Sequence, residues 1–123
     1  MKYSITKRIN PLKRDEVKFY ATADYGDEID IRMLAEEISK SCTLTVPDVV
    51  AVIESLLDKM PLYLKNSNKV RLGNFGIFKL SFSAEGQEKM EDVSAKDIKN
   101  LRVLFTPSTH LKKELSDVSY SKR

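Results

Sequence analysis

Basic and apolar side chains alternate in two segments of this 123-residue chain, and no other pattern in it has a clearer chemical use. Residues 69–72 read Lys-Val-Arg-Leu, and Lys79, Ser81 and Arg102 fall on the polar side of the segments that follow. Because alternate side chains of a strand share a face, these residues would form one basic surface. Such a surface neutralises phosphates with little reading of base sequence. The ordinary alternative is a solvated outer sheet face, where Lys and Arg protect edges against aggregation.

The start of the predicted last helix is a second place where an anion could bind. Pro107, Ser108 and Thr109 would leave free backbone N–H groups at the positive end of the helix dipole. Lys112 and Lys113 follow about one turn later. Capping of the helix by the Ser108 or Thr109 hydroxyl explains the same residues equally well.

Other site chemistry finds little support in the sequence. A single Cys and a single His exclude both a disulfide framework and a Cys/His zinc site within one chain. No Gly-rich phosphate loop, paired-carboxylate motif or nucleophile elbow is present. We therefore expect no enzyme, no metal or other cofactor and no small-molecule substrate. Cys42 is expected to be a small buried hydrophobe, and His110 a surface residue of the last helix.

Composition indicates one globular domain. Hydrophobic residues make up 41% and charged residues 32% of the chain, and its formal net charge is +3. The charge is unevenly spread, because residues 1–20 carry a net +4 and residues 21–41 a net −4. The longest apolar-rich stretch, 46–64, is interrupted by charged side chains and by Pro61, so it is not expected to span a bilayer. We expect a soluble, cytoplasmic protein without a targeting segment.

Two N-terminal strands are predicted from alternation. Tyr3, Ile5 and Ile9 alternate with polar residues, which is typical of a half-buried strand. The polar run 11–16 is predicted to be a loop, and alternation resumes in a short strand at 17–21.

Two helices are predicted next. Asp30 is the expected N-cap of the first. Thr45 and Asp48 have the spacing of a capping box for the second, whose apolar period continues to Met60. Pro61 is expected to kink or end that helix, because its ring blocks the hydrogen bond one turn back.

A β-hairpin, a polar segment and a last strand follow. Residues 69–72 and 75–82 are predicted to pair around a Gly-Asn turn. Residues 83–100 are polar without a sustained period, which is typical of an exposed loop or hairpin. The strand at 101–105 precedes a short helix, and the tail beyond it is expected to fray.

The hairpin sequence Lys-Val-Arg-Leu-Gly-Asn-Phe-Gly-Ile-Phe at 69–78 resembles the signature of the bacterial histone-like HU/IHF family. Val-Leu-Phe-Thr-Pro at 103–107, followed by a short basic helix, resembles the end of the same fold. Together the resemblance covers roughly residues 30–115. The added N-terminal strands and the start Arg-Ile-Asn-Pro at 8–11 resemble a longer HU-related group typical of Bacteroidetes.

This resemblance implies an α+β fold that assembles as an intertwined homodimer. It implies a two-helix base, a three-stranded β-sheet with a projecting arm and a short C-terminal helix, plus an added N-terminal β segment. One domain is expected at 1–118, followed by a flexible tail at 119–123. Its expected parts are an extension at 1–28, the base at 30–65, the sheet and arm at 69–105 and the C-terminal helix at 107–118. The expected dimer core consists of apolar residues: Val49, Ile53, Leu56, Leu57, Met60, Phe75, Phe78 and Phe105.

Surplus apolar surface favours dimerisation independently of the resemblance. A three-stranded sheet with two helices cannot cover all of these side chains from both sides, and burial of each is worth about 1.5–3 kcal/mol. The alternative is that the N-terminal strands cover this surface within one chain.

For function, the resemblance implies non-enzymatic, largely sequence-independent binding of double-stranded DNA, with an architectural, nucleoid-associated role. The expected DNA contacts are Lys69, Arg71, Lys79, Ser81, Arg102, Thr106, Thr109, Lys112 and Lys113. Accessory contacts are expected from basic residues outside that surface: Arg8, Lys13, Arg14, Lys89, Lys96 and Lys99.

The arm departs from the family pattern. Ordinary HU arms are strongly basic and carry a proline that wedges between base pairs. Residues 83–100 contain no Arg and no Pro, and their five acids outnumber three lysines. Proline intercalation is therefore not expected. The same departure leaves an alternative function open, an HU-like protein-interaction or scaffolding module with weak or no DNA binding.

Overall fold

The chain forms two compact units in a computed structural model that describes residues 1–123. The first unit joins Met1–Ile29 to Leu115–Arg123, and the second is Asp30–Glu114. This division differs from the single domain 1–118 expected from the sequence. In chain order the elements are β1 (Lys2–Asn10), β2 (Lys13–Asp24), α1 (Ile31–Ser39), α2 (Val46–Lys65), β3 (Val70–Leu72), β4 (Gly76–Ala84), β5 (Ile98–Pro107), α3 (Thr109–Glu114) and β6 (Ser121–Lys122).

The first unit is built on the antiparallel β1–β2 hairpin, whose register places Ile5 opposite Ala21. Its turn is only Pro11–Leu12, so most of the loop predicted at 11–16 belongs to β2 instead. The amide N–H of Leu12 donates to Asn10 Oδ1 at 3.0 Å and closes the turn. β2 is 12 residues long and extends well beyond the short strand that alternation at 17–21 predicts.

The last residues of the chain are paired, whereas the sequence predicts a frayed tail at 119–123. β6 lies parallel to β1, with Ser121 opposite Lys2. The N-terminal ammonium donates to Ser119 O at 2.7 Å. Arg123 Nη1 donates to both carboxylate oxygens of Asp24, at 3.0 and 2.9 Å. These contacts join segments more than 90 residues apart, and no local period in the sequence could indicate them.

The helices of the second unit begin at the predicted caps. Asp30 Oδ1 accepts a hydrogen bond from the Met33 amide at 2.9 Å. At the start of α2, the Asp48 amide donates to Thr45 Oγ1 at 3.3 Å and the Thr45 amide donates to Asp48 Oδ2 at 3.2 Å, which confirms the capping box. Neither helix meets the length and hydropathy that a membrane-spanning helix requires.

α2 continues through Pro61 to Lys65 rather than ending at the proline. Proline lacks the N–H that would close one helical hydrogen bond, and its ring crowds the preceding turn. The next turn contains Leu64, which is only 8% exposed. Burial of this side chain offsets the cost of the proline and keeps the last turn helical.

The second unit contains a three-stranded antiparallel sheet in the order β3-β4-β5. Gly73, with φ +48°, opens the β3–β4 turn, as the mirror-image hairpin turns require. Gly76 is needed for a different reason. A Cβ on Gly76 would lie 2.5 Å from both Phe105 Cε1 and Thr106 O, so only glycine allows β4 and β5 to approach this closely here.

The segment between β4 and β5 closes on itself around Asp97. The amide of Glu85 donates to Asp97 O at 3.0 Å. The Asp97 carboxylate accepts from Gln87 Nε2 at 2.8 Å and from the Ser94 amide at 2.9 Å. The polar segment predicted at 83–100 is thus strand at both ends and a hydrogen-bonded loop with two 3₁₀ turns between them.

Very little of the chain is buried. The only buried hydrophobic side chains are Ala35, Val49 and Leu64, all in the second unit. The single chain of 14.1 kDa exposes 10813 Å². Two separately folded units of these sizes would expose about 8,000 Å² together. A surplus this large indicates that apolar surface remains to be covered.

Candidate nucleic-acid interface

The strand register brings most of the predicted cationic residues to one face of the sheet, here called the basic face. Arg71 is opposite Ile77, which is opposite Thr106. Lys79 is opposite Leu104. Further along, Ser81 is opposite Arg102. Lys69 directly precedes β3.

The charge of the basic face is not compensated within the chain. β3, β4 and β5 contain no acidic residue. None of the ion pairs in the structure involves Arg71, Lys79 or Arg102. Arg71 and Arg102 are exposed and Lys79 is half-buried. Three cations without an acidic partner on one sheet face create a positive potential that an anionic ligand would neutralise.

A bulge in β5 changes which side chains reach this face. After Ser81–Arg102 the register shifts, so that Ser83 is opposite Lys99. Asn100, with φ 57°, takes up the extra residue in the left-handed region that Asn tolerates. Lys99 therefore joins the basic face, although simple alternation from Arg102 would not place it there. Its ammonium lies 2.9 Å from Glu85 Oε1, which neutralises much of its charge locally.

One end of the basic face continues into a shallow depression of about 390 Å³ beside the start of α3. Arg71, Thr106, Thr109 and His110 contribute to its lining, so the structure brings together candidates from β3, β5 and α3. All four side chains are exposed. Lys112 and Lys113 are also exposed, on the helix that follows.

Ser108 caps α3 and connects it to the hairpin. Its Oγ accepts from the Leu111 amide at 3.1 Å, which is the capping alternative left open by the sequence. The same hydroxyl donates to the carbonyl oxygen of Asn74, and the Ser108 amide donates to Phe75 O at 3.0 Å. α3 ends at Glu114, so the helix is shorter than the predicted 107–118. His110 is exposed as predicted and lies 3.8 Å from Glu114.

The accessory candidates are dispersed. Arg8 belongs to the first unit and stacks over the ring of Tyr20, with its guanidinium carbon 5.3 Å from the ring centroid. Lys13 and Arg14 are exposed at the start of β2. Lys89 and Lys96 are exposed in the loop after β4.

Most residues predicted for a dimer core are open in the single chain. Leu56 is 41%, Leu57 47%, Phe75 49% and Phe105 39% exposed. The rings of Phe75 and Phe78 lie 5.2 and 4.7 Å from that of Phe105, so they form one cluster on the face opposite the basic face. Ile53, Met60 and Phe78 are half-buried. Val49 differs, because contacts within the chain already leave it only 4% exposed.

Sequence reasoning missed one feature of the basic face. Ile77 and Leu104 lie on the basic face between the cations, so this face is partly apolar. Their position was readable from strand parity once the register was known.

Cys42 is exposed, which corrects the expectation that it is buried, because it lies in the turn between α1 and α2.

Comparison with known proteins identifies the fold. The family model described as "HU domain fused to wHTH, Ig, or Glycine-rich motif" matches residues 1–122. The chain is similar to a protein from Bacteroides vulgatus ATCC 8482 described as a "Putative bacterial DNA binding protein", with TM-score 0.63 and 13% identity, over 98% of this chain and 47% of that one. It is also similar to HU of Anabaena in a cocrystal with DNA, with TM-score 0.57 and 14% identity, over 73% of this chain and 100% of that one.

The chain spans about half the length of the Bacteroides vulgatus chain that it matches. No curated protein matches it. The resemblance to HU that the hairpin at 69–78 predicted is confirmed, and so is the mixed α+β class. Because the family model covers residues 1–122, the chain belongs to the HU-HIG family of HU domains.

Proposed function

We propose that this chain binds double-stranded DNA as a histone-like homodimer, chiefly through phosphate contacts. The observation that carries the proposal is the uncompensated charge of Arg71, Lys79 and Arg102 on one sheet face. Because these side chains lie in strands that are already ordered, binding does not have to order the backbone that carries them. A phosphate backbone is the regular anionic partner that such a face suits. The cocrystal of the Anabaena HU neighbour with DNA supports the same function.

The mode of binding that follows is largely independent of base sequence. The basic face presents Lys and Arg from strands, with no recognition helix to enter a groove. Lys and Arg that neutralise phosphates release condensed counterions, so affinity falls steeply with salt. We therefore propose an architectural role in the nucleoid, in which the protein bends, bridges or coats DNA.

The depression beside α3 supplies additional phosphate contacts in this proposal. Thr106 and Thr109 offer hydroxyl donors near Arg71. Lys112, Lys113 and Lys69 extend the positive surface at its rim. Hydroxyl and cationic donors of this kind orient a protein on the DNA backbone without reading bases. Arg8, Lys13 and Arg14 are proposed as accessory contacts only.

Dimerisation is proposed from the phenylalanine cluster and the open face of α2. Leu56, Leu57 and Phe75 each remain more than 40% exposed in the single chain. A second copy that covers these side chains would bring two basic faces into one assembly. Doubling the face doubles the number of phosphates neutralised. The free energies of these contacts add, so their effects on the affinity multiply.

The test is a titration of labelled duplex DNA at several salt concentrations. We expect measurable binding at low salt and a steep linear loss of log affinity with log salt. The variant carrying Arg71→Glu and Arg102→Glu should lose binding while sedimentation still reports the dimer. Lys40→Glu with Lys59→Glu is the matched control, because it changes the net charge equally and leaves the basic face intact. Unchanged affinity of the first double variant would contradict the proposal.

A second candidate is a protein-interaction module, which the loop 85–97 favours. This loop contains five acids, and its two large apolar side chains, Met90 and Val93, are 89% and 59% exposed. Acidic charge beside DNA would repel it, whereas an acidic loop with an apolar tip suits a basic protein surface. Absence of DNA binding even at low salt would favour this candidate.

A further inference from the structure

The β1–β2 hairpin has one apolar face, here called the hairpin face. Its register pairs Tyr3 with Ala23, Ile5 with Ala21, Lys7 with Phe19 and Ile9 with Val17. The residues of the hairpin face are Tyr3, Ile5, Lys7, Ile9, Val17, Phe19, Ala21 and Ala23. All are apolar except Lys7. Ile5, Ile9 and Phe19 are 52%, 56% and 67% exposed, so the first unit does not cover this face well.

The opposite face of the hairpin is polar and satisfied by its own contacts. The hydroxyls of Thr6 and Thr22 share a hydrogen bond of 2.8 Å. Arg8 stacks over Tyr20, and Lys18 lies 3.8 Å from Glu16. Contacts of this kind are what a solvent-facing strand surface needs. The hairpin face is therefore the side that remains to be buried.

The first unit lacks a core of its own. None of residues 1–29 or 115–123 is buried. A two-stranded hairpin alone is at best marginally stable in water, and β6 adds only two residues to it. An ordered hairpin of this length needs a second layer over its apolar face.

The shape of the hairpin face suits another copy of itself. Phe19 projects at one position, and a hollow of about 270 Å³ lies further along the same hairpin, lined by Tyr3, Ala21, Ala23 and Tyr120 among others. The lining of this hollow is mostly apolar, because two alanines leave room there. We propose that the hairpin faces of two copies pack against each other, with Phe19 of each copy in the alanine hollow of the other. A projection and a hollow on one surface are what a two-fold interface requires.

Charge and exposed surface area both favour a second copy of the chain as the partner of the hairpin face. The hairpin face contains one cation, Lys7, and no acid, so neither a phosphate backbone nor an acidic protein finds a matching surface. The single chain exposes about 2,800 Å² beyond what two folded units of these sizes would, and a standard interface takes about 800 Å² per partner. The surplus is large enough for a hairpin interface in addition to one at α2.

Disulfide cross-linking tests the contact. In a Cys42→Ser background, Phe19→Cys and Ala23→Cys are introduced together. These two positions lie about 13 Å apart on one strand, beyond the reach of a disulfide within a chain. Mild oxidation of the dilute protein should convert most monomer on a non-reducing gel into covalent dimer. Lys18→Cys with Thr22→Cys is the matched control, with the same spacing on the polar face, and should stay monomeric on the gel.

Equal cross-linking of the two pairs, or none of the first, would overturn the proposal. The second result is also what a hairpin covered by the rest of its own chain, or by an unrelated protein, would give. As a separate measurement, Phe19→Asp should remove the protection of β1 and β2 amides from hydrogen exchange and leave α2 amides protected. Tyr20→Asp on the polar face should leave the amides of β1, β2 and α2 protected. Retained protection of β1 and β2 in Phe19→Asp would count against the contact. DNA titration of Phe19→Asp tests the basic face separately.

Discussion

Arg102 Nη1 donates a hydrogen bond to Ser83 Oγ at 3.1 Å, across the bulge that interrupts β5. A second, longer bond of 3.4 Å connects the same nitrogen to Asn100 O. These contacts hold the guanidinium over the strands instead of leaving it free in solvent. The part of the basic face without acidic partners ends here, because Lys99 in the next row is paired with Glu85.

The Glu85–Lys99 pair limits how far the basic face extends toward the loop. Glu85→Gln should free Lys99 for a phosphate, raise DNA affinity at low salt, and steepen the plot of log affinity against log salt by about 0.9 per added phosphate contact. Glu88→Gln is the control, because it removes the same charge from an exposed residue of the loop that takes part in no ion pair. If both variants bind equally well, the effect is one of net charge alone.

Gly76 should be the least replaceable glycine of the chain. A Cβ there would lie 2.5 Å from a backbone oxygen of β5, which cannot move without breaking the sheet. Gly76→Ala should lower the free energy of unfolding by about 1–3 kcal/mol, the usual range for overpacking. Denaturant unfolding at fixed protein concentration measures this value. Gly86→Ala meets no atom within 4 Å and should leave the midpoint almost unchanged.

Leu57 should report on the proposed dimer. It is 47% exposed in the single chain, and a buried Glu at this position would be an unpaired charge in an apolar interface. Leu57→Glu should therefore shift the sedimenting species from dimer to monomer. Leu12→Glu is the comparison, since Leu12 is 93% exposed in the β1–β2 turn. A dimer that survives Leu57→Glu would place the interface elsewhere.

The capping box of α2 should contribute measurably to stability. Thr45→Ala removes the oxygen that accepts from the Asp48 amide, and loss of such a cap costs about 1 kcal/mol. Thr43→Ala, in the preceding turn, leaves the cap unchanged. Thr45→Ala should therefore unfold at a lower urea concentration than Thr43→Ala. Equal midpoints would show that the capping box adds nothing to stability.

Local patterns predicted the elements of this protein well where neighbouring residues supply the contacts. The caps at Asp30 and Thr45 were predicted because a capping hydrogen bond spans only three residues. β1 was predicted because alternation is a property of the strand itself. The extent of β2 was missed, because Lys13–Glu16 is polar and lies at a register shift, where only Lys13 pairs with β1.

The sequence by itself determined the alternation of cations and apolar residues in β3–β5 and the glycines that shape the hairpin, since both depend on backbone geometry within a few residues. Only the tertiary structure decided that Lys99 joins the basic face beside Glu85, that Ile77 and Leu104 interrupt that face, and that the chain ends pair in the first unit. The physical reason is register. A bulge or a pairing between distant strands is selected by the sum of long-range contacts, and a shift of one residue reverses the face that every following side chain occupies.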